Sequence, residues 1–77
     1  MKILDAREMP APEPFVQTLS LLENLKKGEL LRLILPREPF PLYAHLTERG
    51  IAFSTQFANE GEFAGCFLID ITAPPKI

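Results

Sequence analysis

MPAPEPF, residues 9–15, places prolines at 10, 12 and 14 directly ahead of a stretch with helical hydrophobic spacing. Proline has no N–H, and its fixed φ suits the first helical turn, where amides lack intrahelical acceptors anyway. These prolines therefore predict a stiff opening to a helix rather than a break, with Pro12 and Pro14 in the opening turn. The helix is expected from about Pro12 to Lys27. Phe15, Val16, Leu19, Leu22 and Leu25 fall on one side, and Gln17, Ser20, Asn24 and Lys27 on the other. Lys26 and Lys27 are expected in its last turn, where cations suit the negative end of the macrodipole. Gly28 suits the left-handed residue that closes a helix. The same prolines remove amide donors that an anion would use, and Glu13 adds negative charge. The corner is therefore a poor phosphate cradle.

Outward from this corner, Lys2–Ala6 reads as a first strand and residues 7–14 as its loop. Leu30–Leu35 (LLRLIL) is apolar except for Arg32 and is bounded by Gly28 and Pro36, which predicts a central strand. Pro36, Pro39 and Pro41 punctuate the next loop. A short helix over about Pro41–Arg49 buries Leu42, Tyr43 and Leu46, and Gly50 ends it. Ile51–Phe57 and Cys66–Thr72 alternate as strands, joined by the turn-rich NEGEFAG at 59–65. The tail from 73 to 77 is expected to fray.

The order β-α-β-α-β-β predicts an α/β (α+β) two-layer sandwich of one domain, with its core over about residues 2–72. Right-handed crossovers put both helices on one sheet face, and a hairpin ends the sheet. The other face is expected to be uncovered. Its apolar groups, Leu30 or Leu31 and Leu68, make a homodimer through that face one alternative.

The chain has 77 residues, with eight Lys plus Arg against ten Asp plus Glu. The basic residues are scattered among acids, so the clustered positive surface that displaces counterions from nucleic acid is missing. No apolar run approaches the ~20 residues that span a bilayer. The N-terminus turns polar after three apolar residues, and there is one cysteine. Both point to a cytoplasmic protein without disulfides.

A strand ending in Leu4-Asp5, a short loop and then Ala11-Pro12-Glu13-Pro14 opening a helix resembles the TusA/SirA/YedF family of small sulfur-carrier-like proteins. GELLRLIL at 28–35 is similar to that family's second strand, and the element order matches over about residues 3–72. The resemblance implies a four-stranded mixed sheet, with the last strand inserted antiparallel between the second and third. It also implies a fold like the C-terminal domain of translation initiation factor 3. LPREPFPLY at 35–43 further resembles an uncharacterised branch of domains of unknown function. That branch is sometimes joined to, or encoded near, hemerythrin-like or respiratory and nitrogen-oxide-related proteins, which implies a partner from such systems.

The family's chemistry needs a cysteine at the start of the first helix, where helix-end electrostatics favour a thiolate that can carry a persulfide. Ala11 occupies that position, and a methyl group cannot ionise, attack or carry sulfur. The expectation is therefore a non-catalytic binding or adaptor module with a protein partner and no cofactor. Two alternatives stand beside it. One is a redox or sulfur-transfer protein using Cys66, whose neighbouring charge along the chain is acidic and raises a thiol pKa. The other is RNA binding, carried by fold analogy alone.

The loops after the first two strands leave the same sheet edge, where ligands tend to bind in open α/β sheets. Arg7, Glu8, Glu13, Arg37 and Glu38 are expected to gather there beside Ala11, Pro12 and Pro14 as a polar recognition surface. His45 is expected on the exposed side of the second helix. One histidine and one unrelated cysteine do not make a metal site.

Overall fold

The computed structural model describes residues 1–75. Its elements are β1 (Lys2–Asp5), α1 (Glu13–Asn24), β2 (Leu30–Leu35), α2 (Phe40–Glu48), β3 (Phe53–Phe57) and β4 (Phe67–Thr72). They form a four-stranded sheet in the order β1-β2-β4-β3. β1 runs parallel to β2, and β4 is antiparallel to both β2 and β3. The last strand thus lies between the second and third, and the sheet is mixed as the resemblance implied.

Alternation along β2 divides the molecule into two sides. Leu31, Leu33 and Leu35 turn toward the helices, opposite Ile71, Ile69 and Phe67 of β4. Leu22 of α1 and Leu42 and Leu46 of α2 close over them, so both helices cover one face. Leu31, Leu33, Leu46, Ile69 and Ile71 are fully buried. Each such side chain contributes about 1.5–3 kcal/mol relative to exposure.

The opposite face is not left bare as expected. Ile34, Leu68 and Cys66 form a second, smaller cluster beneath Ala58 and Phe63. The connector folds back because its own backbone ties it down: the Ala58 N–H donates to the Cys66 carbonyl and the Gly65 N–H to the Ala58 carbonyl. Gly65 takes a positive φ of +84° in this turn, a region costly for other residues. Leu68 is therefore buried on this side, while Leu30 and Ile3 stay exposed on it; Leu31 is buried on the helix side instead. On the same face as Leu68, Arg32 and Asp70, partners across β2 and β4, form a bidentate ion pair at 2.7 and 2.8 Å.

Helix α1 is shorter than its hydrophobic spacing implied. Leu25 is already extended, with ψ 152°. The Gly28 N–H donates to the Ala73 carbonyl and the Ala73 N–H to the Glu29 carbonyl. The chain's end thus claims residues 28–29 for the sheet margin, and Gly28, though at φ +85°, does not close the helix. The Lys26 N–H instead binds the Glu29 carboxylate at 2.6 Å, so Lys26 and Lys27 lie beyond α1. Nor does the tail begin at residue 73, since Ala73 is buried; Lys76 and Ile77 lie outside the described residues. The inward face of α1 is rotated too: Val16 is 57% exposed, whereas Thr18 is fully buried.

Candidate functional site

Because β1 and β2 are parallel, the loops that follow them leave the same edge of the sheet. Each loop ends in a Pro-X-Pro that opens a helix: Pro12-Glu13-Pro14 for α1 and Pro39-Phe40-Pro41 for α2. Neither helix has a side-chain N-cap. The Ala11–Pro12 peptide is cis. Pro12 and Pro14 carry no N–H, and the Glu13 N–H is taken by the Pro10 carbonyl at 2.9 Å. The α1 terminus therefore offers an anion little, as the sequence implied.

Between the two openings lies a cavity of about 490 Å³. Buried Ala6, Leu33, Leu35 and Leu42 underlie it, together with half-buried Met9 and Phe15. Pro12, Pro14, Pro36, Pro39 and Pro41, five of the chain's eight prolines, line it as well. Its size is that of a small-ligand site, and its walls are apolar with few polar groups, the usual make-up of one. Arg37 and Glu38 are the charged groups on its lining. The Glu38 carboxylate accepts a hydrogen bond from the Tyr43 hydroxyl at 3.1 Å, and that hydroxyl also meets the Thr55 Oγ1 at 2.7 Å. Burial is the main reason the Tyr43 phenol is raised above its usual range, with Glu38 adding to it and the Thr55 bond opposing it. Among the described residues no carboxylate pairs with Arg37.

The structure brings together Ala11, Pro12, Pro14, Arg37 and Glu38 at this cavity, while Arg7, Glu8 and Glu13 do not line it. Arg7 is drawn away by strand alternation. Asp5 stands in register with Ile34 on the connector side of the sheet. The Arg7 guanidinium follows it there, binding the Asp5 carboxylate at 2.6 and 2.8 Å and lying 4.9 Å from the Phe63 ring centre. These hydrogen bonds hold the Asp5 carboxyl below its usual range. The surface expected to be a polar rim is thus mainly apolar. Met9, Phe15, Leu35, Pro36, Pro39 and Pro41 belong to it and were read only as core or loop. The repeated Pro-X-Pro was the signal that both helix openings face one place.

Cys66 is buried between Ile34 and Leu68. Arg7, itself paired with Asp5, is a charged neighbour in space. His45 is half-buried, not simply exposed, with its ring edge-on to Phe15 at 5.4 Å. Among the described residues no three His, Cys, Asp or Glu side chains are grouped to hold a metal ion. No helix among them is long and apolar enough to cross a membrane.

Residues 3–69 match the family model described as uncharacterized conserved protein (DUF2249). Among solved structures, that of a SirA-like protein from Desulfitobacterium hafniense matches with a TM-score of 0.77 and 17% identity, covering 96% of this chain and 99% of that one. At this identity the likeness is one of fold. No curated protein matches the chain in sequence.

Proposed function

The chain belongs to the uncharacterized conserved protein family DUF2249, and from that premise we propose that it is a non-catalytic binding or adaptor module on a SirA-like, sulfur-carrier-like scaffold. The observation that carries this reading is the proline-walled cavity at the sheet edge, with Ala11 at its lip. In the sulfur-carrier resemblance this position holds the thiol. Here the reactive atom is replaced by a methyl group, while a receptive apolar surface remains. Such a surface takes an apolar side chain presented by a protein partner. Arg37 at its rim suits a carboxylate beside that side chain. Stiff walls favour recognition, because little loop entropy is lost on binding.

Filling the cavity from its exposed lip tests the reading. Ala11→Phe adds a ring where Ala11 is exposed and leaves Leu33, Leu35 and Leu42 in place. Partners captured from the native host by the wild-type chain should be lost by Ala11→Phe and weakened by Arg37→Ala, with both variants retaining the wild-type circular dichroism. Identical partner sets for all three proteins would remove the cavity from the function.

A further inference from the structure

We infer that β3 is a self-association edge, pairing antiparallel with β3 of a second copy about a two-fold axis through Thr55. This surface is separate from the cavity and does not rest on the reading given to it. Among the described residues β3 pairs only with β4, so its other side is an open sheet edge. Its sequence, Phe53-Ser54-Thr55-Gln56-Phe57, carries no charge and no proline, two of the devices that usually protect such an edge. Four of its five residues are exposed, including Phe57 at 51%.

Three observations select a second copy as the occupant. The first is the symmetry of the strand. Reversed about Thr55 it reads aromatic, polar, threonine, polar, aromatic, so the two-fold places Phe53 against Phe57 of the other copy, Ser54 against Gln56, and Thr55 against itself. An isologous contact requires self-complementarity of this kind.

The second is the phase of the backbone. The Thr72 N–H donates to the Ala52 carbonyl, and the Ala58 N–H donates to the Cys66 carbonyl. In an antiparallel ladder the bonded positions alternate. Residues 52, 54, 56 and 58 thus direct their N–H and C=O groups to β4, and Phe53, Thr55 and Phe57 direct theirs outward. A two-fold through Thr55 brings those outward groups into bonded pairs. The third is charge: no like charges meet across the axis, and the aromatic pairs formed continue the Tyr43–Phe53 stack and the Phe57–Phe67 contact.

Sedimentation of the full chain over a wide concentration range tests this. The mass should rise from 8.7 kDa toward twice that value. Thr55→Lys and Thr55→Glu each place like charges on the axis, so each should stay monomeric, and an equimolar mixture should recover the dimer. A wild-type chain that remains monomeric up to about 1 mM, a dimer unaffected by Thr55→Lys, or a mixture that stays monomeric overturns the proposal. Amide exchange in the wild-type protein gives a readout independent of any variant's folding. Raising the concentration should slow the Phe53, Thr55 and Phe57 amides about tenfold or more, while Ser54 and Gln56, already bonded to β4, change little. Outward amides that exchange equally fast at every concentration also overturn it.

Discussion

Asp70→Asn isolates the ion pair that joins the two central strands. Arg32 and Asp70 are register partners on β2 and β4, held through Nε–Oδ1 at 2.7 Å and Nη2–Oδ2 at 2.8 Å. Their side chains are 29% and 16% exposed. A fully exposed pair is worth about 0.2–1 kcal/mol, whereas hydrogen bonds to a charged group contribute about 1.5–3 kcal/mol. Partial solvent screening places this pair between the two, so Asp70→Asn should cost about 1–2 kcal/mol. In a domain of this size that lowers Tm by roughly 5–15 °C. The Arg32 hydrogen bonds pull the Asp70 carboxyl below its ordinary 3.8, against a smaller opposing effect of burial. The unfolded chain therefore binds this proton at a higher pH than the folded one does. The stabilisation is complete above the ordinary value and is lost as pH falls through the lower, folded value. Thermal unfolding followed by circular dichroism should show a wild-type advantage at neutral pH that shrinks below about pH 3.8. Equal Tm values at neutral pH, or a gap that widens in acid, would refute the reasoning.

Thr18 presents a buried hydroxyl with no hydrogen-bond partner among the described residues, so the near-isosteric Thr18→Val should stabilise the fold by about 1 kcal/mol in urea titration. Leu46→Ala empties a fully buried position between α2 and the sheet and should cost about 2–5 kcal/mol, a large share of a small domain's stability. The Cys66 thiol, 9% exposed, should react with a thiol reagent far more slowly in the native protein than after denaturation, and an added Ala11→Cys thiol should label at once.

The sequence made the element order legible because each element carries a local signal. β2 is a bounded apolar run, β3 and β4 alternate, and both helices open at prolines. The end of α1 was not legible. The apolar spacing continues to Leu25, and the stop comes from residue 73, whose hydrogen bonds to 28 and 29 are remote in sequence. Thr18 was read past because hydroxyls favour caps and turns over helix interiors, yet tertiary packing turned it inward. Arg7 shows the same limit at the candidate site. Its neighbours along the chain point to the corner, while the parity of Asp5 in β1 carries it to the other side of the sheet. Parity was available in the sequence; the receiving ring of Phe63, fifty-six residues away, was not. The cavity was hidden because an apolar residue that lines a ligand site and one that fills a core obey the same pattern.

The proline walls also fix the hydrogen-bonding character of what they enclose. The five prolines of the lining bring no amide donors to it, and the Pro12 and Pro39 carbonyls are already taken by the N–H groups of Val16 and of Leu42 and Tyr43. An extended peptide cannot add itself there as a strand, since half of the ladder it would need is missing. On the binding reading proposed above, selection at this corner falls to shape and to the Arg37 guanidinium, which no carboxylate among the described residues pairs, with direction set by side chains and not by backbone.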